Sequence, residues 1–194
     1  MSKEPYMVSG HNGATEKGYS ALMRQNILGM ERSIRRRRDE ELHVFDSKGN
    51  LVRSIQGKGT EVSVSGKLPE NSILTHNHPR ALGKSGIMAI GNSFSHHDIT
   101  LAVSTNAKEM RAVTPTYTFS IKRPKGGWGV SADEVRKAYR EIENRLTNET
   151  RSGYLTGRRA YANSSYDRAS VVHYHKVMKR LAKRFGWSYT KKNS

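Results

Sequence analysis

The stretch from residue 73 to residue 99 limits the fold of this chain more than any other, because it joins a strand end to a capped helix through residues that bind metals. It opens on Ile73, Leu74 and Thr75, a short apolar and β-branched run of the kind that forms a buried strand. His76 and His78 follow, one residue apart, so in an extended chain both imidazoles point to one face while Asn77 points to the other. Pro79 has no N–H to give to a ladder and ends the strand. Beyond residues 79–94 comes Ser95-His96-His97-Asp98, in which Ser95 and Asp98 have the spacing of a helix capping box, with Phe94 placed to staple onto Ile99. A capped first turn holds the Asp98 carboxylate and the Ser95 hydroxyl rigidly. His76, His78 and Asp98 are therefore the expected metal ligands, two imidazoles and a carboxylate with a fourth position left for water, which is the donor set of catalytic zinc. The plainer reading is a pair of surface histidines at a strand end. The coupling to Ser-x-x-Asp argues against it.

The rest of the chain reads as strands and helices around that stretch. Residues 1–14 form a polar arm. Residues 16–38 carry a helical stripe of Tyr19, Met23, Ile27, Met30 and Ile34, closed by four arginines, Arg35 to Arg38, that suit a helix C-terminus. Residues 42–46 and 51–55 read as strands joined by the turn 47–50, and residues 62–64 as a further short strand. Glu40 and Glu41, at the start of the first strand, are both candidates for a proton-transferring carboxylate. Residues 80–92 carry three glycines around the apolar run 87–90, and are expected to form a lid or a docking loop. A helix from residue 96 to about 107 and paired strands at 110–113 and 117–121 follow. Ser131 and Glu134 cap a helix reaching about residue 150, and a last helix spans about 169–185 and ends at Gly186. His173 and His175 in that helix lie about 200° apart around the axis and cannot easily share an ion.

Composition narrows the function. There are no cysteines, which excludes disulfides, thiolate metal sites and the cysteine-dependent zinc deaminases. The net charge of +17 favours polyanionic partners, so nucleic acid bound without sequence preference is one expected partner. No segment approaches 18 consecutive apolar residues and the N-terminus lacks an apolar signal core, so neither a membrane partner nor signal-directed secretion is expected.

His76-Asn77-His78-Pro79 with Ser95-x-x-Asp98 resembles the metal motif of the JAB/JAMM metallopeptidase-like superfamily, and most of all its RadC-like branch and the JAB-like domains encoded by phages. Upstream, residues 41–52 resemble that branch's glutamate-bearing strand and the hairpin after it. The resemblance covers about residues 40–124, and the linker 79–94 is longer than is usual in the family. Three adjacent letters His-Asn-His are, by contrast, no sign of an HNH nuclease, whose residues are dispersed through a ββα unit.

What the resemblance implies is an α/β (mixed α+β) fold, a JAB-like mixed sheet flanked by helices. Its expected parts are an N-terminal arm and helix (1–39), a metal-binding core (40–125) and a C-terminal helical extension (126–194), compact as one domain. It implies a Zn²⁺-dependent hydrolase of peptide or isopeptide bonds, cytoplasmic or virion-associated, acting on a protein or peptide. His76, His78 and Asp98 would hold the metal. Glu41, preferred over Glu40 for its place relative to Phe45 and Asp46, would move the proton, and Ser95 would donate to the oxyanion. Two other readings stand beside it: a non-catalytic basic virion or nucleic-acid-binding protein on the same scaffold, and a metal-dependent nuclease.

Overall fold

The computed structural model describes residues 20–84, 90–155 and 166–193, without the side chains of 150–155 and 166–171. The arm 1–14, Tyr19 and most of the apolar run 87–90 lie outside the described residues. The elements are α1 (Ala21–Ile34), β1 (Glu41–Phe45), β2 (Leu51–Gln56), β3 (Ile73–Asn77), α2 (His96–Ser104), β4 (Glu109–Val113), β5 (Tyr117–Lys122), α3 (Ala132–Leu155), α4 (Tyr166–Phe185) and β6 (Ser188–Asn193). The strands form one mixed sheet in the order β2-β1-β3-β4-β5-β6, in which only β3 and β4 run parallel. A parallel pair needs a crossover, and α2 supplies it. The class is mixed α+β, as the alternation of strand and helix patterns implies.

Both faces of the sheet are covered, by different chemistry. On one face Leu42, Val44, Leu74, Met110, Ala112, Phe119 and Ile121 pack with α2, α3 and α4 in a continuous apolar core. On the other, α1 lays Met23 and Ile27 over Phe45 and Ile73. Gly49 allows that approach: its φ is +90°, and a Cβ there would sit 2.6 Å from that of Met23. The α1 face also buries charge. Glu31 falls on the apolar stripe of its helix and meets Arg111 of β4, with Nε to Oε1 at 2.6 Å, while Arg111 reaches Glu109 at 2.8 Å. All three side chains are buried.

Two sequence expectations change. Residues 62–64 do not join the sheet. They form no regular element and pack Val62 and Val64 against the core, after a turn closed by the isolated bridge of Lys58 to Glu61. The chain also does not end in a helix: after Gly186, at φ +69°, β6 adds antiparallel to β5 and closes that edge. Short strands rich in lysine give little signal, and this one is held by its neighbour and by Trp187, which donates to the Trp128 carbonyl. Among the described residues no helix is long and apolar enough to cross a membrane.

Candidate metal centre

The centre forms where β3 ends, because strand alternation and a helix cap aim three side chains at one point. His76 is buried on the core face, and Asn77 on the opposite face uses its side chain as a clamp. Asn77 accepts from the Glu41 N–H at 2.7 Å and donates to the Arg37 and Asp39 carbonyls, tying the α1–β1 connection to the site strand. His78 keeps its backbone on β4 through the Val113 carbonyl. Its Nδ1 donates to the Asn92 carbonyl at 2.8 Å, which leaves Nε2 as a lone-pair donor facing the centre.

The capping box of α2 is formed in full. Asp98 Oδ2 accepts from the Ser95 N–H at 2.7 Å and from the Ser95 hydroxyl at 2.9 Å, while Oδ1 points to His76 Nε2 at 3.4 Å. One carboxylate oxygen caps the helix and the other is free for a ligand. In this arrangement the Ser95 hydroxyl proton is committed to Asp98, so Ser95 orients a candidate ligand. The expected donation to an oxyanion would require that bond to break.

His76, His78 and Asp98 form a group that could hold a metal ion, with their ligand atoms all within 4.8 Å of one another. His76 Nε2 and His78 Nε2 lie 2.8 Å apart. Tetrahedral bonds of ~2.0–2.1 Å put donor atoms ~3.3 Å apart, so the His76–Asp98 spacing fits and the two rings need to open by only ~0.5 Å. Burial holds the His76 imidazole down at about 4, against the Asp98 charge and helped by His78, so the ring is a neutral ligand at neutral pH. Burial pushes the Asp98 carboxyl up, but the His76 and His78 rings and the Ser95 donors outweigh it and keep the carboxyl below its ordinary value.

The two glutamates separate. Leu42 pairs with His76 across β1 and β3, so even-numbered residues of that strand share the face of His76. Glu40, just before that strand, turns to the same side and lines a cleft of about 250 Å³ together with His76, His97 and Asp98. Glu41 lies on the α1 face, with Arg37 2.9 Å from one carboxylate oxygen and His43 3.3 Å from the other. Glu41, the residue expected to move the proton, thus faces away from the His-His-Asp group and Glu40 faces it, because a one-residue shift along an extended chain turns a side chain through the sheet. Burial, with Asp98 and Glu61 nearby, raises the Glu40 carboxyl to about 8, against Arg80.

Sequence reasoning missed the support behind His78. Tyr189 of β6 places its hydroxyl 2.6 Å from Ser93 Oγ and 2.9 Å from His175 Nδ1, bracing the segment whose Asn92 carbonyl orients His78. Gly91 begins that segment at φ +73°, and a Cβ there would lie 2.7 Å from Thr114. Burial lowers the His175 imidazole to about 4, with Lys191, Lys179 and His78 acting the same way and the Gly91 carbonyl opposing. A folded-state value below the ordinary ~6.5 means that protonation favours the unfolded chain. The stabilisation from neutral His175 is present above pH ~6.5 and is lost towards pH ~4, at most about 3 kcal/mol. Urea denaturation of metal-free protein across that window should show His175→Gln losing less stability than wild type; parallel losses would mean that His175 is already solvated.

Fold and site together define a mixed α+β domain whose central strand and crossover helix present a His-His-Asp group beside a carboxylate-lined cleft. No family model matches the chain, and neither a curated protein nor a solved structure matches it.

Proposed function

We propose that this chain is a zinc-dependent hydrolase of peptide or isopeptide bonds on a JAB/JAMM-like scaffold, phage-encoded and cytoplasmic or virion-associated. The observation that carries the reading is the facing of the His76 and His78 Nε2 atoms across 2.8 Å, with Asp98 Oδ1 3.4 Å from His76, where His76 and Asp98 line a cleft that also holds Glu40. Two nitrogen lone pairs at that distance call for a cation or a proton between them. Nitrogen and oxygen donors without thiolate suit zinc. A zinc ion there supplies Lewis acidity, which lowers the pKa of water to about 7.

The chain's own residues supply the rest. Glu40 takes a proton from the attacking water as the C–O bond forms, and returns it to the leaving amine as the C–N bond breaks, so the proton count closes. Asn92 and Ser95 hold His78 and Asp98 in register. Elemental analysis of protein purified without chelator should find about one zinc per chain, absent in His76→Ala, His78→Ala and Asp98→Ala proteins.

The net charge of +17 favours a second reading, a basic virion or nucleic-acid-binding protein that uses the fold as a scaffold. The same measurement separates the two. Wild-type protein that carries no zinc, takes up none and still binds DNA in a salt-dependent way would overturn the hydrolase.

A further inference from the structure

The registers of the sheet grade the cleft from polar to apolar. Glu40 lies just before β1, Asp98 in the first turn of α2 and His76 near the end of β3, so these polar residues gather at one end of the cleft. Leu42 is level with His76, and Met110 pairs with Leu74, two residues deeper on the same face. Leu101 follows Asp98 by three residues and so lies one turn further along α2. One wall is the segment of residues 62–64, where half-buried Val62 and Val64 turn inward between exposed Glu61, Ser63 and Ser65. Of the nine residues that line the cleft, Leu42, Val62, Val64, Leu101 and Met110 are apolar, and Glu40, His76, His97 and Asp98 make up its polar end.

We propose that this cleft is a specificity pocket for one apolar side chain, of the size of leucine or methionine, carried by the residue whose carbonyl lies at the His76–His78–Asp98 group. The proposal rests on the metal reading above and adds the substrate class to it. An aliphatic side chain replaces water against those five residues, whereas a carboxylate would meet the like charge of Asp98 and an ammonium would find a partner only at the polar end. Glycine would leave the pocket wet. The wall that meets the side chain is not part of the sheet ladder. Its end is tied to the edge strand β2, where Arg53 donates to the Ser65 carbonyl at 2.7 Å, and none of its residues belongs to the strands that carry the ligands.

The test uses the zinc-loaded full chain and the hydroxamates of glycine, leucine, lysine and aspartate, titrated by calorimetry. The hydroxamate group binds the metal in every case, and only the side chain varies. The leucine compound should bind at least about tenfold tighter than the glycine compound, the scale set by apolar pockets, and tighter than the lysine and aspartate compounds. Val64→Ser should shrink the leucine advantage and leave glycine hydroxamate affinity unchanged; Val62→Ser serves the same purpose should Val64→Ser fold poorly. Equal binding of glycine and leucine compounds, or an unaltered preference in both variants, overturns the pocket while the metal reading stands. Failure of every hydroxamate to bind in a zinc-dependent way overturns the metal reading, and the pocket with it.

Discussion

Glu40→Gln is expected to lower peptide-bond hydrolysis about 10²–10⁴-fold while leaving zinc bound, and Glu41→Gln to leave turnover nearly unchanged. Glutamine keeps the shape of the Glu40 side chain in the cleft and removes its capacity to accept a proton. Glu41 cannot substitute, because its carboxylate is held between Arg37 and His43 on the other side of the sheet. The pH behaviour sharpens the test. In the metal-free protein Glu40, raised to about 8 by burial, carries a proton at pH 7. A nearby dication favours the charged carboxylate. Zinc binding at pH 7 should therefore release a proton from Glu40. Titrations in buffers of different ionisation heat should show fewer protons released in Glu40→Gln and no change in Glu41→Gln. The reverse pattern would return the role to Glu41.

The largest effect on stability is expected from Arg111→Met. Arg111 lies between Glu31 of α1 and Glu109 of its own strand; all three are buried, and Ser120 adds a donor to Glu109 at 2.6 Å. Lys122 stands 3.6 Å from Glu109, at the edge of the same network. Methionine fills much of the arginine's volume but leaves two carboxylates facing each other without their shared cation. Breaking a buried pair from one side typically costs 3–5 kcal/mol, which for a chain of this size lowers the melting temperature by about 10 °C. Glu31→Gln added to Arg111→Met should recover part of that loss, since it removes one of the stranded charges. A melting temperature unchanged by Arg111→Met would show that the network contributes nothing net to the fold.

Neither glutamate nor arginine of that network stood out as a partner in the sequence, although the signs were there. Glu31 falls four residues after Ile27 and three before Ile34, on the apolar stripe, and Arg111 interrupts the apolar run of β4. A pattern shows that a charge sits on a buried face. It does not show which opposite charge, eighty residues away, meets it. The same limit applies to Arg35, read as a cation suited to a helix end. It turns inward and donates to the Tyr117 carbonyl at 3.0 Å and to the Thr118 hydroxyl.

Local chemistry was legible in the chain alone. Alternation at His76, Asn77 and His78, the stop at Pro79 and the box at Ser95 and Asp98 all depend on neighbours within four residues, and the helix and hairpin patterns around them are equally short-ranged. From these followed the mixed class and the three residues that could share a metal ion. Only the tertiary structure decided which of two adjacent glutamates faces that group, because alternation gives relative faces and pairing with β3 gives the absolute one. It also decided that residues 62–64 wall a cleft instead of extending the sheet. The last residues, finally, form β6, whose Tyr189 braces the segment behind His78. Hydrogen-bond partners far apart in the chain leave no periodic trace in it, so the support of the site became visible only once the strands were side by side.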